Sequence, residues 1–155
     1  MKYKSHQGWY KLRNPQKFIK VIDEHMQSSR DGYLLYKSSL EKKMMQYCDL
    51  NKFVKCFSLE PFAIPYVKPT DGKVHRYYVD FYLEFCTGHK VLVEIKTFAE
   101  TRKPLKPKRL NAKTVQAYNE AMQTFLINMA KWKYAKEFCN KHSFEFLILT
   151  ENELK

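Results

Sequence analysis

The clearest pattern of apolar and polar positions lies between Arg76 and Thr97. Tyr77, Val79, Phe81, Leu83 and Phe85 fall on alternate positions, and Val91, Val93, Ile95 and Thr97 do so again after Thr87-Gly88-His89. A period of two is that of a β-strand, so the stretch predicts a hairpin with one apolar face. The other face carries Asp80, Glu94 and Lys96. With Thr87, Gly88 and His89 as the loop, Cys86 pairs with Lys90, Asp80 lies opposite Lys96 and Tyr82 opposite Glu94. An even-numbered loop without a bulge would place the two acids on opposite faces.

The flanking segments read differently. Phe18, Val21, Ile22 and Met26 stand at helical spacing after Pro15, with Asn14 as a cap, which predicts a helix over about 15–27. Residues 28–32 read as a loop. A second helix is expected over 39–50, with Leu40, Met44, Tyr47 and Cys48 facing inward and Ser38 and Glu41 forming a capping box. Residues 55–60 form a strand, and Pro61 and Pro65 confine the continuation to an edge or a loop. Val115, Tyr118, Met122, Phe125, Met129 and Trp132 make a helical stripe assigned to the core, with Asn128 dividing it into helices over 111–127 and 130–141. Residues 144–149 are a last strand. The resulting class is α/β, with a mixed central β-sheet flanked by helices.

Composition narrows the partners. A chain of 155 residues with 45% apolar content suits one folded domain. Its net charge of +12 favours a polyanion, with an acidic membrane surface as the competing partner. No apolar run approaches the roughly 20 residues of a membrane span, and no signal-peptide pattern opens the chain. Cys48, Cys56, Cys86 and Cys139 include no Cys-x-x-Cys pair and read as reduced core thiols of an intracellular protein. Residues 1–14, with Lys2, Lys4, Trp9, Tyr10, Lys11 and Arg13, read either as a DNA-contacting arm or as a segment packed through Trp9.

The candidate chemistry sits on the hairpin. Two acids and a lysine on one face of a buried hairpin cost desolvation energy unless a cation or substrate compensates. Mg²⁺ takes one or two carboxylates, keeps several waters and completes its shell with substrate phosphate. Asp80 and Glu94 are the metal ligands expected on this logic, with the backbone carbonyl of Ile95 as a further one. Lys96 is placed to position or deprotonate an attacking water, or to offset phosphate charge. Glu41 has two readings, a helix cap or an additional metal-site carboxylate. Arg102, Lys103, Lys106, Lys108, Arg109 and Lys113 follow directly from the Glu94/Lys96 strand and read as phosphate contacts.

Asp80 followed by Glu94-Ile95-Lys96, after a helix beginning at Ser38-Ser39-Leu40-Glu41, resembles the PD-(D/E)xK superfamily of restriction-endonuclease-like nucleases. Val79-Asp80 stands where that superfamily commonly has Pro-Asp. Further residues carry a closer resemblance: Glu60, Ile64-Pro65-Tyr66, Arg76-Tyr77, Asn119-Glu120, Asn128, Lys131-Trp132 and Ile148-Leu149-Thr150-Glu151. Together they are similar to the head completion nucleases of tailed phages, over roughly residues 36–154. The resemblance implies a catalytic set of Glu41, Asp80, Glu94 and Lys96, and a Mg²⁺-dependent endonuclease for which Mn²⁺ can substitute. The implied partners are double-stranded DNA, contacted by Arg76 as well as the basic tract, and other phage head or neck proteins. The implied location is the host cytoplasm or the virion head. Residues 1–35 are then a basic, helical extension and residues 36–155 the nuclease domain. A non-catalytic DNA-binding neck protein, and a TnsA-like transposase endonuclease or junction resolvase subunit, are the alternatives. Oligomeric state is left open.

Overall fold

The structure, a computed structural model, describes residues 6–20 and 29–155. Strand β1 (Gly8–Lys11) and strand β2 (Ser29–Arg30) flank β3 (Tyr33–Tyr36), both antiparallel to it. Asp31 and Gly32 link β2 to β3 with φ of 45° and 84°. Two consecutive left-handed residues make the turn whose twist suits a two-residue hairpin. The segment read as a loop is therefore a hairpin from Ser29 onward.

The helix expected over 15–27 is not formed in its described part. Pro15–Lys17 makes a single 3-10 turn, and Phe18 then bridges in parallel to Phe57. The Ile19 amide donates to the Phe57 carbonyl at 2.8 Å, so an extended pairing takes the place of a helical bond. Asn14 caps nothing; its side chain donates to the Asp49 carbonyl at 2.9 Å. Residues 21–27 of that expectation, together with Lys2 and Lys4, lie outside the described residues.

Helix α1 (Ser39–Leu50) begins where Ser38 Oγ accepts the Glu41 amide at 3.1 Å. The box is only half made, because the Glu41 carboxylate reaches back to the Lys37 amide at 2.7 Å. Met44, Met45, Cys48 and Asp49 form the buried face, whereas Tyr47, expected inward, is 41% exposed. The buried Asp49 carboxylate accepts from the Tyr10 hydroxyl at 2.7 Å and from the Arg13 and Asn14 amides at 2.9 and 2.8 Å. Lys17 donates to the carbonyls of Asp49 and Asn51, satisfying the end of α1. The N-terminal segment is thus held through Tyr10, Asp49 and the buried Leu12, not through Trp9, which is 43% exposed beneath Arg30.

After α1 come β4 (Val54–Leu59), β5 (Ala63–Val67), β6 (Val74–Tyr78), β7 (Phe81–Phe85), β8 (Lys90–Ile95), α2 (Ala112–His142) and β9 (Glu145–Leu149). The central sheet has the order β4-β7-β8-β9, antiparallel except for β8 and β9. β5 and β6, with Pro65, form a separate two-stranded ribbon.

The single strand expected across Arg76–Phe85 is broken at Val79-Asp80. Leu59 pairs with Phe81 and Ala63 with Tyr78, so residues 60–62 face only residues 79–80. That mismatch is a bulge, with Glu60 at φ 45° and its amide bonded to the Asp80 carbonyl at 3.0 Å. Across it the alternation changes face. Phe81 and Leu83 pack with Met44, Met45 and Cys48 of α1. Tyr77 and Val79 pack with Trp132, Ala135 and Cys139 of α2. β8 serves both layers, through Val91, Val93 and Ile95 on one face and Leu92 on the other. The hairpin therefore has two buried faces rather than one apolar and one polar.

α2 is one helix of 31 residues, not two. Asn111 and Thr114 make a reciprocal cap at its start, and Ser143, at φ 57°, ends it. Asn128 stays helical and buried. Of the stripe assigned to the core, only Trp132 is buried; Val115 and Met129 are 40% and 47% exposed. The buried positions are Asn128, Trp132, Ala135 and Cys139 in the second half, which packs on the β5–β6 ribbon and β9. Cys48 and Cys139 are core thiols, but Cys56 is half-buried and Cys86 exposed at the β7–β8 turn. Among the described residues no helix is long and apolar enough to cross a membrane.

The Asp49 anchor carries a prediction. Burial opposes its ionisation, but hydrogen bonds from Arg13, Tyr10 and Asn14 prevail and hold its carboxyl below the usual range. A carboxyl depressed in the fold contributes stability above its unfolded pKa and loses it as pH falls through the folded value. Asp49→Ala is expected to cost about 3 kcal/mol at neutral pH, with the difference narrowing below about pH 4. Urea unfolding of both proteins at the two pH values measures this.

Candidate active site

The bend at Asp80 and the parallel strand β9 together define the site. Phe81 pairs with Val93, Leu83 with Val91 and Glu84 with Lys90. The Phe85 amide bonds to the His89 carbonyl, so the loop is Cys86, Thr87 and Gly88, with Gly88 at φ 87°. The loop keeps its odd length but lies one residue earlier than expected, which slips every pair by two positions. Continued past Phe81, this register sets Asp80 beside Glu94 instead of Lys96. The Ile95 amide donates to Asp80 Oδ2 at 2.8 Å and joins the two strands there.

Glu94 is 5% exposed and has a different partner on each oxygen. The Tyr77 hydroxyl donates to Oε2 at 2.7 Å, and Lys96 Nζ lies 3.5 Å from Oε1. Its side chain shares the α2 face of β8 with Leu92, while Glu94 itself pairs with Ile148 of β9. Burial raises its carboxyl above the usual range, against the pull of Lys96, the Tyr77 bond and Lys131. Burial likewise pushes Asp80 well above its ordinary value, and the charges of Glu94 and Glu41 add to it. Burial and Glu94 together push the Tyr77 hydroxyl up.

The predicted residues separate into groups. Asp80, Glu94, Lys96 and the Ile95 backbone are brought together. Glu41 lines a small cleft of about 120 Å³ with Lys37, Glu60 and Asp80, so its charge reaches Asp80 from the start of α1. It does not complete a cluster, since among the described residues no group of three or more His, Cys, Asp or Glu side chains could hold a metal. Asp80 and Glu94 are the two acids brought together, a set that would suit a hard dication keeping most of its waters. Arg76 is exposed on β6. Arg102, Lys103, Lys106, Lys108, Arg109 and Lys113 are all exposed on the segment between β8 and the first turn of α2. Part of that segment faces α2 across a groove of about 560 Å³ whose far side is lined by Phe125 and Asn128.

Two residues of the site were not singled out from the sequence. Tyr77 read as one apolar position among five and as part of the matching pair Arg76-Tyr77, with no role in the site, and its hydroxyl finds Glu94 because the bulge turns β6 toward α2. Lys131 was noted only as part of a matching pair with Trp132. Its place at helical spacing among buried residues of α2 is the one sequence signal that it points inward.

The acid pair weakens the fold that holds it. Each carboxyl is raised above its unfolded value, so each destabilises the protein at high pH, and the penalty vanishes as pH falls to the ordinary carboxylate range. Asp80→Asn keeps an oxygen for the Ile95 amide and removes the repulsion. In chelator at about pH 8 it is expected to raise the thermal midpoint by roughly 3–6 °C, and the gain closes near pH 4. Circular-dichroism melts at both pH values decide this, and an unchanged midpoint at high pH would contradict the repulsion.

Comparison with known proteins agrees with this architecture. The family model for the TnsA-like endonuclease N-terminal domain matches residues 51–151, from the end of α1 to just past β9. The chain is 31% identical over 122 residues to the head completion nuclease of Enterobacteria phage T4, covering 79% of this chain and 81% of that protein. With its bent mixed sheet and two flanking helices in the restriction-endonuclease-like arrangement, the chain belongs to the TnsA-like endonuclease family.

Proposed function

We propose that this protein is a Mg²⁺-dependent DNA endonuclease that acts in the host cell during phage head completion. The observation that carries the reading is the pairing of the buried Glu94 with the half-buried Asp80, whose carboxyl the Glu94 charge pushes up, with Lys96 at its edge. A family scaffold without chemistry gains nothing from burying two like charges. The similarity to the phage T4 head completion nuclease supports the setting, and the net charge of +12 suits a DNA substrate.

Asp80 and Glu94 would hold the metal, with the Ile95 carbonyl as a further oxygen donor. A dication held by these groups would supply charge to offset that on the phosphate oxygens and would make a coordinated water more acidic. The Ile95 amide fixes Asp80, and Tyr77 and Lys96 fix the two oxygens of Glu94, so both carboxylates are oriented before substrate arrives. Lys96 stays within reach of the phosphate and stabilises the charge that develops on it. Glu41 contributes through its charge near Asp80. The exposed basic tract and Arg76 hold the duplex through its phosphates, without reading sequence.

Incubation of supercoiled, linear and branched duplexes with Mg²⁺ tests the reading. Wild type cuts, whereas Asp80→Asn and Glu94→Gln lose about three orders of magnitude in rate, some 4 kcal/mol of barrier. Lys96→Arg retains part of the activity and Lys96→Met almost none. Glu41→Gln can still accept the Lys37 amide, so it lowers the rate while leaving the melting midpoint in place. Neutralising Arg102, Lys103, Lys106, Lys108 and Arg109 together flattens the salt dependence of binding by about 0.9 in log–log slope per lost phosphate contact. Cleavage by Glu94→Gln at the wild-type rate would remove the acid pair from the chemistry.

A further inference from the structure

Lys131 leaves α2 with its ammonium 5.5 Å from the centre of the Tyr77 ring and 5.8 Å from that of Tyr66. Tyr77 is the residue whose hydroxyl donates to Glu94. Lys131 is half-buried, yet among the described residues its ammonium is in no ion pair and donates no hydrogen bond to a protein oxygen. Its electrostatic neighbours are Lys96, Glu94, Lys68 and Asp80. Two ammonium groups, Lys96 and Lys131, thus converge beside Glu94 from different elements of the fold.

A half-buried ammonium with no protein oxygen on its donors and a like charge for a neighbour is less favourable in the free protein than one paired with an anion. The two ring faces recover part of that cost. They also restrict the side chain, so the charge stays where it is when a ligand comes. The ligand that satisfies such a group is an anion, and a lysine is a point charge well suited to a single phosphate. The acid pair does not fill that role in this structure: Glu94 takes Lys96 and the Tyr77 hydroxyl, and Lys131 feels its charge without pairing to it. A purely structural lysine would have taken a carboxylate or carbonyl partner.

We propose that Lys131, cradled by Tyr66 and Tyr77, is a second phosphate-contacting residue of the site and grips the DNA backbone beside the bond to be cut. The inference rests on the nuclease reading above and extends it from the strands to α2.

Binding of a fluorescein-labelled duplex in chelator, at rising KCl, tests it without cleavage. Lys131→Met is expected to lower the log–log salt slope by about 0.9, and Lys131→Arg to restore it. Single neutral methylphosphonates are then walked along the duplex. Wild type loses affinity at one position next to the cleavage point, and Lys131→Met loses no more there. In Mg²⁺, kcat/KM of Lys131→Met falls about 10- to 100-fold, as for loss of a charged hydrogen bond. Lys131→Gln, which keeps a polar end in the cradle, is measured beside it and gives the same slope as Lys131→Met. Wild-type slopes and methylphosphonate profiles in the folded variants, with or without slower cleavage, would overturn the proposal and leave Lys131 as a support for Tyr77. If wild type binds with the expected slopes but cuts no duplex, the nuclease reading falls and the phosphate contact stands. If wild type cuts and the Lys131 variants keep its slope, the contact falls and the nuclease reading stands.

Discussion

Asp80 and Glu94 are two like charges set side by side, Glu94 buried and Asp80 half-buried at the edge of a cleft. Among the described residues no cation pairs with both. Lys96 and the Tyr77 hydroxyl hold Glu94, and the Ile95 amide holds Asp80, but burial still raises both carboxyls, and the Glu94 charge raises Asp80 further. A site in this state is fixed in geometry and unsatisfied in charge. That combination is what a cation-dependent reaction on a polyanion requires, since the orienting cost is met before binding and the electrostatic gain comes with it.

The bulge at Glu60–Phe62 makes this arrangement possible. A regular ribbon would carry Tyr77 and Phe81 on the same face. The extra residue turns β6 so that Tyr77 meets Glu94 while Phe81 still packs on α1. It also places Asp80 at the break, where its side chain reaches the backbone of β8. Strand irregularities of this kind re-aim side chains next to active sites. The sheet is covered on both faces, so the acids lie at the junction of two cores rather than on an open surface.

The rest of the chain supports or surrounds this junction. Asp49 ties the N-terminal segment to the end of α1, whose first turn presents Glu41 to the cleft beside Asp80. α2 is buried only along its second half, where Lys131 and Trp132 sit, and its first half extends from the basic segment with apolar residues in view.

Much of this was determined by the sequence itself. Alternation placed β7 and β8, the spacing of Ser38 and Glu41 placed the start of α1, and Asp80, Glu94 and Lys96 stood out as costly charges in an apolar setting. These are local signals, set by side-chain period and by caps, and they survive in any context. Tertiary structure decided the rest. The slip that pairs Asp80 with Glu94 depends on which three residues make the turn. The change of face at Val79-Asp80 depends on a bulge whose extra residue lies on the neighbouring strand. Phe18 is extended because Phe57 offers it a partner, and Asn128 stays in one long helix because β5 and β9 lie against it. The helical stripe from Val115 to Met129 looked like core because periodicity reports an apolar face and not what covers it. Tyr77 and Lys131, more than fifty residues apart in the chain, entered the site only when β6 and α2 were folded against each other.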